Sequence, residues 1–198
     1  IQKGDLNKAF QKIEKEITKE KDLLRNKYAI SLIYSNRKFK DYNPKKSYDF
    51  LLESQILYTE INEEKLINKL NDIPINDSIY SLEFNKICNL GLEDAIQTNQ
   101  IEIYNEYLQF YKKSSIENKK TAIQKRNVVA YNTAVISNTL ESYYDFIDKY
   151  PDAKQIESAW KEIHILSFEE ACNINTINEY LNFIKSFPKA NQVKEAQK

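Results

Sequence analysis

A chain of 198 residues suits one compact domain or one short solenoid. Its 29 basic and 29 acidic side chains cancel, so no long-range field attracts a polyanion, and nucleic acid is excluded as the expected partner. Two glycines and four prolines are too few for the many tight turns of an all-β protein of this size, which leaves long helices.

Taken in chain order, Gly4-Asp5 opens a helix that carries Leu6, Ala9, Phe10, Ile13 and Ile17 on one face. A second helix carries Leu24, Tyr28, Ala29, Leu32 and Ile33. After the polar loop around Tyr42-Asn43-Pro44 a third begins, with Tyr48, Leu51 and Leu52 turned inward. Leu66, Ile67 and Leu70 follow, then a break at Ile73-Pro74 and a long helix from about Asp77 to Ile96. The longest apolar run, Tyr28 to Tyr34, falls far short of the roughly 18 residues of a membrane span, so no direct membrane insertion is expected. The chain has no methionine and begins at Ile1, which predicts that the true N-terminus, with any export signal or lipid anchor, lies outside it.

From Ala134 onward the chain repeats itself. Placing Ala134 on Ala171, a shift of 37, superposes Asn138-Thr139-Leu140 on Asn175-Thr176-Ile177 and Tyr143 on Tyr180. It also superposes Phe146-Ile147 on Phe183-Ile184, Tyr150-Pro151 on Phe187-Pro188, and Ala159 on Ala196. A more worn copy precedes these: placing Ala95 on Ala134, a shift of 39, brings Asn99, Tyr104, Tyr107 and Tyr111 onto Asn138, Tyr143, Phe146 and Tyr150. Past Tyr111 the shift falls back to 37, so two residues are inserted there, where a connecting turn is expected.

Each copy reads as two antiparallel helices. The short one is expected to start at Asn138 as its N-cap, with Glu141 three residues on in the capping-box place. Leu140, Tyr143, Ile147 and Tyr150 give it one apolar stripe, and Pro151 stops it. A long helix follows from about Gln155 to Ile174 with two stripes, one of Ile156, Ala159, Ile163 and Ser167 and one of Trp160, His164, Phe168 and Ala171. Two stripes predict a helix packed between neighbours on both sides. The last long helix begins near Asn191 and would run to about position 211 by the repeat, which predicts that the chain is a fragment of a longer protein.

Gly4-Asp5-Leu6 with Ala9-Phe10, followed by Tyr28-Ala29 and Leu32-Ile33-Tyr34, resembles a tetratricopeptide motif, and the next unit starts near Pro44 with Ser47-Tyr48 in place of Ala9-Phe10. The units run longer than the family's usual length of about 34 residues, and its Trp and Leu-Gly positions are not matched. The resemblance implies an all-α fold, an α-solenoid of antiparallel helix pairs forming one helical-repeat domain over 1–198. Within it, 1–76 are irregular tetratricopeptide-like hairpins and 77–198 are three related repeats of 37–39 residues, the last truncated. The later copies resemble degenerate repeats of Bacteroidota cell-envelope proteins, large multidomain chains of which some are linked to type IX secretion and gliding. That implies a periplasmic or outer-membrane-associated setting, with a cytoplasmic one as the alternative.

Few residues offer chemistry. His164 is the single histidine, and its counterpart in the preceding copy is Asn127, so it occupies one variable slot of a structural repeat. Cys88 and Cys172 are far apart, lack metal-ligand spacing and are expected to be buried small hydrophobes. Carboxylates are interleaved with lysines as on solvated helix faces, and Gly4 and Gly91 cannot build a phosphate loop. No catalytic residue, metal site or cofactor is expected. Large side chains that break the repeat pattern remain, and Tyr144, Trp160 and His164 are the candidates for a partner-binding surface. The expected function is a non-enzymatic scaffold that binds another protein or a peptide within a larger envelope assembly, such as a secretion or gliding apparatus. The alternative is a rigid spacer or oligomerisation segment of a larger multidomain enzyme or carbohydrate-binding envelope protein.

Overall fold

The computed structural model describes residues 3–61 and 75–198. Every regular element among them is an α-helix, as the scarcity of turn residues required. The helices are α1 (Lys3–Thr18), α2 (Leu23–Tyr34), α3 (Pro44–Glu60), α4 (Asp77–Thr98), α5 (Ile101–Phe110), α6 (Ile116–Ser137), α7 (Leu140–Lys149), α8 (Ile156–Ile174), α9 (Ile177–Ser186) and α10 (Val193–Ala196). The apolar face expected at Leu66, Ile67 and Leu70 and the break at Ile73-Pro74 lie outside the described residues. Two compact units divide the chain: Ile1–Thr98 with Ile103–Ala122, and Asn99–Glu102 with Ile123–Lys198.

In the first unit α1 packs on α2, α2 on α3 and α3 on α4. Leu6, Ile30, Ile33, Tyr34 and Phe39 form one core, closed by Ala9, Phe10, Ile13 and Ile17 from the apolar face of α1. Burying each such large side chain contributes roughly 1.5–3 kcal/mol. Asn43 caps α3 by accepting from the Lys46 N–H at 3.0 Å, and Pro44 follows at the first helical position, where its missing N–H costs nothing. Three fully buried serines line the seam between α2 and α3. Ser31 donates to the Tyr28 carbonyl at 2.7 Å, Ser47 to the Ser31 carbonyl at 2.7 Å, and Ser54 to the Leu24 carbonyl at 2.9 Å. The Tyr80 hydroxyl completes the set on Ser54 at 2.8 Å.

The second unit is built on the sequence repeat. Ala130, Ala134, Tyr143, Phe146, Ala153, Ala159 and Ile163 form its first core. Ala171, Phe183 and Ala190 form its second, with Phe168, Tyr180, Ile184 and Val193 packed around them. Helix α8 lies on both α7 and α9. Its Ile156–Ala159–Ile163 stripe enters the first core, and Phe168 and Ala171 enter the second, as two stripes at helical spacing demand.

The repeating asparagine acts differently from the expectation. Asn138 is not an N-cap: it has φ 47°, in the left-handed region, and ends the preceding long helix. Asn99 (φ 54°) and Asn175 (φ 53°) take the same conformation at equivalent positions. Asparagine tolerates this region better than other side chains bearing a Cβ, and it closes helices where glycine otherwise would. Thr139 is the cap instead: its hydroxyl accepts from the Ser142 N–H at 3.1 Å, while the Ser142 hydroxyl accepts from the Thr139 N–H at 3.2 Å. Glu141 lies in the first turn and favours the helix dipole without entering that box. In the two later copies the tyrosine that follows reaches back to its asparagine, Tyr143 Oη donating to Asn138 Oδ1 at 3.4 Å and Tyr180 Oη to Asn175 Oδ1 at 3.2 Å.

The two-residue insertion is also absorbed differently. The turn after Tyr111 is not lengthened; α6 starts early and spans 22 residues against 19 for α8. Lys112 stands where later copies carry proline, so nothing blocks an early helical start, and the overhanging Ile116 is 87% exposed.

Asn138→Ala, which forces a Cβ without a compensating amide into the left-handed region, is expected to lower stability by about 1–2 kcal/mol. Asn138→Gly is expected to stay within about 0.5 kcal/mol of the parent, since glycine adopts that region freely. Urea unfolding of both variants measures the difference, and equal losses would remove the backbone explanation.

Candidate functional site

Tyr144 stands on α7, and Trp160 and His164 stand one turn apart on α8. The structure brings all three together. The Tyr144 and Trp160 rings meet edge to face at 5.9 Å and 82°, and Trp160 and His164 lie 6.3 Å apart. His164 in turn packs at 5.0 Å on Phe187, the residue that closes α9. These side chains line an open groove of about 670 Å³ whose remaining wall is Ser186, Phe187, Pro188 and Lys189. Tyr144 and Trp160 are 42% and 37% exposed, so both keep ring surface for a partner.

A second, smaller groove of about 310 Å³ shares Trp160, His164 and Lys189 and continues past Lys161 to Asn191 and Gln192. The Gln192 Oε1 atom is buried there without a hydrogen-bond donor. Lys161 is paired with Glu157 at 3.0 Å, whereas Lys189 forms no ion pair among the described residues. The aromatic ridge thus borders both depressions.

The preceding copy differs at this place. There the Phe187 position is Tyr150, and the Arg126 guanidinium covers its ring at 5.0 Å while donating to Asn127 Oδ1 at 3.1 Å. Asn127 is the His164 counterpart. Here His164 packs on Phe187 and no guanidinium lies across that ring. Sequence reasoning found the three side chains that depart from the repeat but missed Phe187 and Pro188, because those two conform to it.

Burial alone pushes the His164 pKa down from the ordinary 6.5, so the imidazole is neutral at neutral pH. Cys88 is fully buried, which pushes its thiol up to about 11 and keeps the nucleophilic thiolate scarce. Cys172, expected to be buried, is exposed on the solvent side of α8. Among the described residues no group of three or more His, Cys, Asp and Glu side chains is placed to hold a metal ion, and no helix is long and apolar enough to cross a membrane. No protein-family model matches the chain, and no curated protein or solved structure matches it.

Because the folded pKa of His164 lies below its unfolded value, the unfolded chain takes up this proton first on acidification. The stability associated with the neutral ring is complete above about pH 6.5 and is lost as pH falls through the folded pKa. The parent chain is therefore expected to lose more stability between neutral and mildly acid pH than His164→Asn, the residue of the preceding copy. Denaturant unfolding at the two pH values checks this, and identical losses would contradict it.

Proposed function

We propose that this chain is a non-enzymatic scaffold that binds a protein or peptide partner along the Tyr144–Trp160–His164 groove. In this reading its helix pairs continue as an α-solenoid, and the partner belongs to a cell-envelope assembly. The envelope setting rests on the resemblance of the later repeats to envelope proteins, and the solenoid on their regular sequence period.

The observation that carries the binding role is convergence. Three large side chains that break the repeat lie on two helices, yet they line one open groove against Phe187-Pro188. Chance departures in a structural repeat would scatter. Aromatic side chains that are half-exposed and held by neighbouring rings are the usual anchors of protein interfaces, because they lose little conformational freedom on binding. The groove is also long for a single side chain. Its two depressions flank the Trp160–His164 ridge.

Trp160 is the only tryptophan of the chain, so its fluorescence reports the groove directly. Peptides selected by display on the purified chain are expected to shift or quench that emission in a saturable way. Tyr144→Leu, which installs the residue found at the next copy's Leu181 and spares the probe, is expected to weaken binding by roughly tenfold or more, within the range of an interface hot spot. Its effect on stability is expected to be small, since Tyr144 lies outside the core. Selected peptides that bind Tyr144→Leu and the parent equally would overturn the reading. Failure to select any peptide would favour the rigid spacer or oligomerisation segment.

A further inference from the structure

The wall of the Trp160 groove carries a charge of the opposite sign to the one its repeat predicts. At the shift of 37, Asp148 and Asp152 fall on Lys185 and Lys189, so two acids are exchanged for two bases. Residues 140–155 hold four acids and two bases, whereas their counterparts 177–192 hold one acid and two bases. The apolar stripe that seats each short helix is kept through this exchange, since Tyr143, Phe146 and Ile147 recur as Tyr180, Phe183 and Ile184. The sign of the surface has changed while the apolar stripe has not. A reversal of that kind bears on which partners are attracted or repelled, and not on the fold.

Of the two new bases, Lys189 lines both the larger groove and the smaller one beside it. Among the described residues no acidic side chain lines the larger groove. In the smaller one Lys161 and Glu157 lie 3.0 Å apart and offset each other. His164 is neutral at neutral pH, because burial lowers its pKa. Lys189 forms no ion pair among the described residues, so its ammonium is the one formal charge of these grooves without an opposite.

Charge and apolar surface together restrict the occupant. A cationic segment is opposed by Lys189. A phosphate group carries close to two charges at neutral pH and is best held by the fork of an arginine, and no arginine lines either groove. A single carboxylate is matched by one ammonium at the edge. Beside it the half-exposed rings of Tyr144 and Trp160 face the Phe187-Pro188 wall, which suits one large apolar side chain.

We propose that the groove takes a segment of a partner protein in which a large apolar residue is adjoined by aspartate or glutamate, the apolar side chain lying against Tyr144, Trp160 and Phe187 and the carboxylate accepting from Lys189 Nζ. This rests on the groove being a peptide-binding site, and adds which peptides it takes. The rings supply most of the affinity and Lys189 the selection, because an exposed ion pair is weak by itself.

Random heptapeptides displayed on phage are selected in parallel on the parent chain and on Lys189→Asp, which restores the residue of the preceding copy. The parent is expected to enrich aspartate or glutamate beside an aromatic or aliphatic residue, and Lys189→Asp to enrich lysine or arginine in that place. The most enriched parent sequence is then synthesised with its carboxylate intact or replaced by the amide, and both forms are titrated by calorimetry. The amide is expected to bind the parent about fivefold more weakly, the scale of a solvent-exposed ion pair, and Lys189→Asp to bind the two forms in the reverse order. Lys189 is exposed, so the melting temperature of the variant is expected to match the parent's, which separates a loss of binding from a loss of fold. Selected peptides without acidic residues, or equal affinity of the carboxylate and amide forms, would overturn the carboxylate assignment and leave the peptide groove standing. Failure to enrich any peptide, or unimpaired binding by Tyr144→Leu, would instead remove the groove and this assignment with it.

Discussion

In the second unit a long helix has to be apolar on two faces at once, and the remaining geometry follows from that requirement. Helix α8 gives Ile156, Ala159 and Ile163 to the core shared with α7, and Phe168 and Ala171 to the core shared with α9. Alanine at the buried crossing points lets neighbours approach closely, and the aromatic residues of the short helices fill the space between. Because each short helix has a single inward stripe, it depends on a long helix for its burial. The left-handed asparagine that ends each long helix then reverses the chain without a glycine, and after Asn138 and Asn175 the tyrosine hydroxyl five residues on holds that reversal from the far side.

The groove beside Trp160 shows how a repeat acquires a distinct surface through a few side chains. Where Arg126 lies across Tyr150, the surface is filled by the chain's own guanidinium. Where His164 and Phe187 replace that arrangement, the two rings pack on each other, and Trp160 and Tyr144 extend the aromatic surface. A few side chains thus differentiate one copy from the next, while the inter-helix cores stay alike.

Much of the fold was legible because apolar periodicity and helix breakers act locally. Pro44, Pro151 and the paired stripes of α8 marked helix ends and faces within a residue or two of those observed. The asparagine was legible as a boundary but not as the right kind of boundary. Asn138 and Thr139 are both capping residues by type, and only the backbone angle assigns one to the end of α6 and the other to the start of α7. The insertion near Tyr111 was readable as an offset, yet whether it lengthens a turn or a helix depends on the missing proline. Exposure of Cys172 was hidden because cysteine's usual burial is a tendency of the residue, while its exposure is decided by position on α8. Phe187 and the close approach of Tyr111 to Gly91 could not be singled out at all, since both depend on partners distant in sequence.

The serine-lined seam between α2 and α3 has a consequence for how those helices can assemble. Leucine or alanine seams tolerate axial sliding, because one apolar contact replaces another at little loss. Here Ser47 and Ser54 each reach a particular carbonyl across the seam, and Tyr80 adds a third bond at Ser54. A slip by one turn would strand several hydroxyls in a dry interior, each at a cost of roughly 1–3 kcal/mol. The seam therefore behaves as a keyed joint with a single seating depth, fixing the axial position of two helices that apolar packing alone would leave free to creep.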